Sequence, residues 1–206
     1  MQDKVPWWQP ASLAGRRARL EARGRIGAAL RAAFAARGFT EVETAALQVS
    51  PGLEPHLQAF ATELRASDGA RRQLYLHTSP EFAMKKLLVA GSGPIFQLAR
   101  VWRNSERSAT HHPEFSMLEW YRPGAGYETL IEDCQALLQA ALQAAGSDAF
   151  RWQGRRSDPV RFERLSVAEA FRRHAGVDLL ATLAADGAAD EPALRAAATA
   201  IGVRVS

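Results

Sequence analysis

Apolar positions recur along this chain with two periods, and each change of period marks an element. Between residue 12 and about residue 37, Ile26, Leu30 and Phe34 fall at i, i+4 and i+8, with Ala28, Ala29, Ala32 and Ala33 filling in. That spacing predicts a long helix, and Gly38 is a natural stop. Residues 39–44 alternate and predict a short strand. Residues 48–58, with proline and glycine, predict a loop; the lone His56 within it reads as structural or solvated. Residues 60–64 and 74–77 predict two strands around the turn Ser67-Asp68-Gly69. In the next helix Thr78 or Ser79 is placed to cap, Pro80 suits the first turn, and Glu81 complements the positive helix end, while Met84, Leu87 and Leu88 face the core. Gly91-Ser92-Gly93-Pro94 turns the chain into a strand and is not a phosphate-binding loop, since no helix follows it.

The clearest pattern is a pair of apolar runs. Phe96, Leu98 and Val101 alternate with Gln97, Arg100 and Arg103, and the second run holds Phe115, Met117, Leu118, Trp120 and Tyr121. They predict a hairpin whose polar loop, about nine residues, is longer than a tight turn. Arg122-Pro123-Gly124 ends it. Leu130, Ile131, Cys134, Leu137, Leu138, Ala141 and Leu142 predict an amphipathic, core-facing helix. Residues 146–159 read as a connection and 160–165 as a strand. Ser166 and Glu169 have capping-box spacing before a helix to about residue 174, and residues 190–201 read as another helix. Trp7 and Trp8, in the irregular N-terminal lead, are expected to pack on the domain. No internal repeat appears.

Composition narrows the class. The chain has 206 residues, 47% hydrophobic and 23% charged with mixed signs, which suits one medium domain or one and a half, with a core of its own. The net charge of +4 is compatible with an acidic partner, ATP or RNA, without selecting among them. The arginines of the first helix (Arg16, Arg17, Arg19, Arg23, Arg25, Arg31) read first as a solvated face and second as a docking surface for an acidic partner or RNA. A single cysteine, Cys134, excludes a disulfide within the chain and a cysteine metal site, and favours a reducing compartment. The first residues lack an apolar signal core and no apolar run approaches ~18 residues, so a cytoplasmic protein is expected, with no membrane partner.

Candidate chemistry gathers at the hairpin. Arg103, Glu106, Arg107, His111, His112, Glu114 and Glu119 lie in a short span beside Phe115. Arginine and histidine suit phosphate oxygens, an aromatic ring suits a base, and carboxylates suit an amino group or a metal. The order of these residues, Arg103-Asn104, a loop, then His111-His112-Pro113-Glu114-Phe115 through Leu118-Glu119-Trp120-Tyr121, resembles motif 2 of class II aminoacyl-tRNA synthetases of the lysine type. The long helix, Gly38 and a strand ending in Val42-Glu43-Thr44 resemble motif 1; the family's proline after that triplet is Ala45 here. Three further departures fall in the loop, where Ser105 separates Asn104 from Glu106, Ala109-Thr110 stands where the family has an arginine, and His111-His112 replaces the family's usual His-Asn. Thr78-Ser79-Pro80-Glu81 resembles the branch of the family that modifies elongation factor P rather than the branch that charges tRNA.

The resemblance implies an α+β fold, an antiparallel sheet flanked by helices, with motif 1 over residues 12–47 building a homodimer interface, motif 2 over 96–122 and an insertion-like segment over 147–206. It implies ATP-dependent activation of lysine or (R)-β-lysine as an acyl-adenylate and transfer to a lysine of elongation factor P, with Mg²⁺ accompanying ATP and its ligands expected in a part of the family absent from this sequence. Arg103 matches the catalytic arginine at the α-phosphate, where a planar, permanently charged fork offsets the meeting of two anions. Asn104, Glu106, His111, His112 and Phe115 match nucleotide-binding positions, and Ser79, Glu81, Glu119 and Tyr121 match the pocket for the amino acid. The anticodon-binding barrel and motif 3 are not in the sequence, which is expected to span the N-terminal two-thirds of the family's length. Aminoacylation of tRNA and an inactive truncated fragment are the alternative expectations.

Overall fold

The computed structural model describes residues 6, 8–158 and 162–203. The first helical period is realised as α1 (Pro10–Ala14) and, beyond a turn at Gly15 and Arg16, as α2 (Arg17–Ala36). Gly38 then adopts φ +78°, a conformation that a side chain would strain. Two short strands follow, β1 (Thr40–Glu41) and β2 (Leu47–Gln48), then the hairpin of β3 (Ala61–Arg65) and β4 (Arg71–Leu76), and α3 (Glu81–Val89). The two apolar runs become β5 (Ile95–Trp102) and β6 (Glu114–Tyr121), and α4 (Tyr127–Ala145) comes next. The chain continues through a small hairpin, β7 (Phe150–Trp152) and β8 (Arg155–Ser157), then α5 (Val167–Ala175), a 3₁₀ turn at Leu179–Thr182 and α6 (Glu191–Ala200).

These elements divide into two compact units, residues 1–160 and 161–206. The first unit holds three sheets. One has the order β1-β5-β6, with β1 parallel and β6 antiparallel to β5; a second has the order β2-β4-β3; β7 and β8 form the third. In the β5–β6 ladder Ile95 opposes Tyr121, Gln97 opposes Glu119, Ala99 opposes Met117 and Val101 opposes Phe115. Residues directly opposite share a face, so these eight side chains line one side of the ladder. The other side carries Phe96, Leu98, Leu118 and Trp120, and it meets the helices. Phe34 of α2, Phe39, Phe96 and Leu137 of α4 form the core there, with Leu118 and Trp120 packed against it. Phe34 is fully buried, stacked on Phe96 at 4.3 Å and edge-on to Phe39 at 5.0 Å. Arg23 of α2 also donates to Ser116 Oγ at 2.8 Å, tying the helix to this side of β6.

In the second unit, α5 opens on a complete capping box. Ser166 Oγ accepts from the Glu169 amide at 3.1 Å, and the Glu169 carboxylate accepts from the Ser166 amide at 3.0 Å. Asp190 caps α6 in the same way, accepting from the Ala193 amide.

Several elements differ from their sequence pattern. The strand expected over residues 39–44 pairs for only two residues, because Val42 donates its last ladder bond to Phe96 and Thr44 then turns to the Gln97 side chain. Leu47–Gln48 pairs with β4 although it borders the expected loop. Pro80 precedes α3 instead of opening it, and of the two expected caps Thr78 Oγ1 donates to the Pro51 carbonyl while Ser79 Oγ accepts from the Glu81 amide at 3.1 Å. The buried stripe of α4 runs through Asp133, Leu137 and Leu142, while Cys134 and Leu138 are exposed. The connection over 146–159 contains the β7–β8 hairpin. Of the strand expected at 160–165, residues 160–161 lie outside the described residues and 162–165 are irregular. Trp7 likewise lies outside them, and Trp8 is largely exposed.

Candidate active site

The lined side of the β5–β6 ladder brings two groups of polar side chains onto one surface. At the loop end, Arg103 continues β5 and its amide donates to the Pro113 carbonyl at 2.9 Å, which closes the base of the loop. Its Cζ lies 5.3 Å from the centre of the Phe115 ring and its Nε donates to the Thr78 carbonyl at 3.4 Å. A cationic group over an aromatic face is mutually attractive, and here it holds both side chains at the mouth of a cleft. That cleft, ≈ 720 Å³, is lined by Arg103, Glu106, Arg107, His111, His112 and Phe115 together with Ser105, Ser108 and Thr110. Its volume suits a nucleotide-sized ligand. The serine and threonine hydroxyls organise the loop: His111 Nδ1 meets Ser108 Oγ at 2.9 Å and Thr110 Oγ1 at 3.2 Å, and His112 Nδ1 lies 2.8 Å from the Glu114 carbonyl.

Asn104 does not join this lining. Its Oδ1 accepts from the Ser105 amide at 2.9 Å and its own amide donates to the Gln58 carbonyl at 2.7 Å. Ser105 stands at φ +62°, and its hydroxyl bonds Gln58 Oε1, so this dipeptide is committed to a turn against the 48–58 loop. Of the nucleotide positions named from sequence, the structure therefore gathers Arg103, Glu106, His111, His112 and Phe115 and leaves Asn104 outside.

The second group lies four residues further along β6, about 13 Å from Phe115 at ~3.3 Å per residue. The Tyr121 hydroxyl donates to Glu119 Oε1 at 2.5 Å, and Glu81 at the start of α3 faces the same carboxylate with Ser79 beside it. Partial burial pushes the Glu119 carboxyl above its ordinary range. The bond from Tyr121 opposes this, the Glu81 charge adds to it, and Ser79 and Lys85 draw it back. Tyr121 is pushed up as well, first by burial and then by its bond to a carboxylate that repels a phenolate. Lys85, one turn along α3, donates to Glu81 Oε1 at 2.5 Å, and that bond raises its pKa. Half-buried carboxylates facing one another with a hydroxyl on each flank are suited to a cationic amine, which would be attracted by both charges.

Sequence reading missed Lys85, although its i+4 spacing from Glu81 was a usable signal. It also missed Gln97, which is buried opposite Glu119 and held by Thr44 Oγ1 at 2.9 Å. A third omission is the ion cluster behind β6: Arg122 binds the buried Asp133 through Nη2 at 2.9 Å and Nε at 3.2 Å, with Arg37 Nε at 3.4 Å from the same carboxylate. An aspartate on the stripe of Leu137 was its only trace in the pattern. Among the described residues no group of three or more His, Cys, Asp or Glu side chains is placed to hold a metal ion, and no helix is long and apolar enough to cross a membrane.

Comparison with known proteins follows the same lines. The model of the family described as tRNA synthetases class II (D, K and N) matches residues 12–201. A protein of Erwinia tasmaniensis named elongation factor P--(R)-beta-lysine ligase is 40% identical over 203 residues, covering 98% of this chain and 54% of the relative. Proteins of the same name from Haemophilus influenzae (strain PittGG) and Pectobacterium atrosepticum are 41% and 40% identical, covering 81% and 98% of this chain and 53% and 55% of their own lengths. The chain thus spans about half the length of the curated relatives it matches, less than the two-thirds its motifs imply.

Proposed function

Because this chain belongs to the class II tRNA synthetase family of the D, K and N type, we propose that it is the nucleotide- and amino-acid-binding part of an ATP-dependent ligase that joins lysine or (R)-β-lysine to a lysine of elongation factor P. One observation carries the reading: Arg103 with Phe115 and Glu119 with Tyr121 stand at two points of the same strand face, a short ligand's length apart. In the activation step the carboxylate of the amino acid attacks the α-phosphate of ATP, pyrophosphate leaves and an acyl-adenylate results. In the transfer step an amine of the acceptor displaces AMP and loses a proton.

Each residue has a task in this scheme. Arg103 offsets the charge that builds when carboxylate and phosphate meet, and its contact with Phe115 keeps it in the cleft beforehand. Phe115 offers a flat apolar surface to adenine. Arg107, His111 and His112 meet the distal phosphates. Glu119 and Glu81 hold the ammonium of the amino acid, with the Tyr121 and Ser79 hydroxyls orienting the carboxylate. The names of the relatives favour elongation factor P over tRNA as acceptor, and we propose residues 12–47 as a homodimer contact on their resemblance to motif 1 alone. Mg²⁺ would supply charge neutralisation on the phosphates when bound.

The test is ATP binding by the 206-residue chain, followed by calorimetry, beside ATP–pyrophosphate exchange with lysine and with (R)-β-lysine. Arg103→Ala is expected to weaken ATP binding at least about tenfold, and to slow exchange about a hundredfold where exchange is measurable. Unchanged ATP affinity in Arg103→Ala, or no ATP binding by the parent chain, would refute the reading.

A further inference from the structure

The amine subsite proposed above already contains a cation of the chain's own. Lys85 Nζ is bound to Glu81 Oε1 at 2.5 Å, and it also feels the charge of Glu119 across the site. The two carboxylates repel one another, so without Lys85 the empty site would hold two facing negative charges with no cation between them. The ammonium arrives from solvent on a flexible four-carbon stem: the Lys85 side chain is 55% exposed against 32% for Glu81. Met84, its neighbour on α3, is fully buried and anchors the helix. Lys85 therefore has room to swing away without disturbing the packing that holds Glu81 in place.

From this geometry we infer that Lys85 is an internal competitor for the ammonium subsite. It occupies Glu81 while the site is empty and is displaced by the ammonium of the amino acid. This rests on the reading of Glu81 and Glu119 as the amine subsite. Binding is then an exchange of one cation for another. The number of charges facing the carboxylates hardly changes, so affinity for the amino acid depends little on salt. An amino acid of the same length without a side-chain ammonium offers one cation fewer to exchange for Lys85, so Lys85 bears on specificity as well.

The test compares the parent chain with Lys85→Met and Lys85→Gln, which keep helix propensity and most of the stem. Binding of lysine, (R)-β-lysine and norleucine is followed by calorimetry at low and high ionic strength, with ATP as control and thermal melting to check the fold. Both variants are expected to bind the cationic amino acids more tightly, by up to about fivefold at low salt, the scale of an exposed ion pair. The gain is expected to shrink at high salt as binding becomes a charge neutralisation. ATP affinity should stay the same, and discrimination against norleucine should change. Equal or weaker amine binding in both folded variants would overturn the competitor role while leaving the subsite in place. Absence of amine binding in all three proteins, with Glu119→Gln no different, would overturn the subsite and the competitor together.

Discussion

Replacing Asp133 by alanine removes a carboxylate that three elements share. Arg122 at the end of β6 grips it through two nitrogens at 2.9 and 3.2 Å, and Arg37 just past α2 approaches at 3.4 Å. The Asp133 side chain is 3% exposed, Arg122 21% and Arg37 38%. Arg122 also lies 4.5 Å above the ring of Phe39, which belongs to the core. Truncation leaves the Arg122 guanidinium mostly enclosed without its counter-charge. Removing one partner of a buried pair costs roughly 3–5 kcal/mol, and the partial access of Arg122 to water puts this case at the lower end, about 3 kcal/mol. Arg37 is more solvated, so Arg37→Ala should cost less than ~1 kcal/mol. Asp133→Leu combined with Arg122→Met exchanges the pair for apolar volume and should recover most of the loss. The assay is urea unfolding followed by tryptophan fluorescence. All five tryptophans fall within the first unit, so the signal reports that unit. A loss below ~1 kcal/mol for Asp133→Ala, or an Arg37→Ala effect equal to that of Arg122→Ala, would refute the assignment of this cluster as a buried clasp.

Phe34→Ala should be among the most destabilising single changes in the first unit, about 4 kcal/mol in the same urea assay, since a fully buried ring stacked on Phe96 leaves a cavity. A cost below 2 kcal/mol would mean that α2 is not seated on the sheet as described. Glu119→Gln should change how stability depends on pH. A carboxyl whose folded pKa is raised binds its proton more tightly when folded, so the parent loses stability as pH rises from the ordinary glutamate range through that raised value. The amide variant lacks this loss, so the stability difference in its favour should grow across that window and level off above it; thermal melts from acid to neutral pH check it, and parallel curves would refute it.

What the sequence determined by itself was whatever a few neighbouring residues encode. The i, i+4, i+8 spacing of Ile26, Leu30 and Phe34 places their side chains on one helix face before anything else folds, and α2 follows it. The period of two in β5 and β6 sets which side chains share a face, so Phe115, Glu119 and Tyr121 were legible as one surface. Ser166 and Glu169 satisfy each other's amides within one turn, and the capping box formed as its spacing predicts. The motif words around Arg103 carried the family. Tertiary structure decided the pairings that no local period contains. β1 stops after two residues because Gln97, on another strand, captures Thr44. Asp133 is buried on a stripe that reads as apolar because Arg122 and the sequence-distant Arg37, from other elements, meet it there. Asn104 is drawn from the cleft by Gln58, and the carboxylates of Glu81 and Glu119, on separate elements, come within electrostatic reach of each other only in the folded chain. Backbone periodicity is a property of neighbours along the chain, whereas the partner of a buried charge depends on which distant segment arrives to desolvate it.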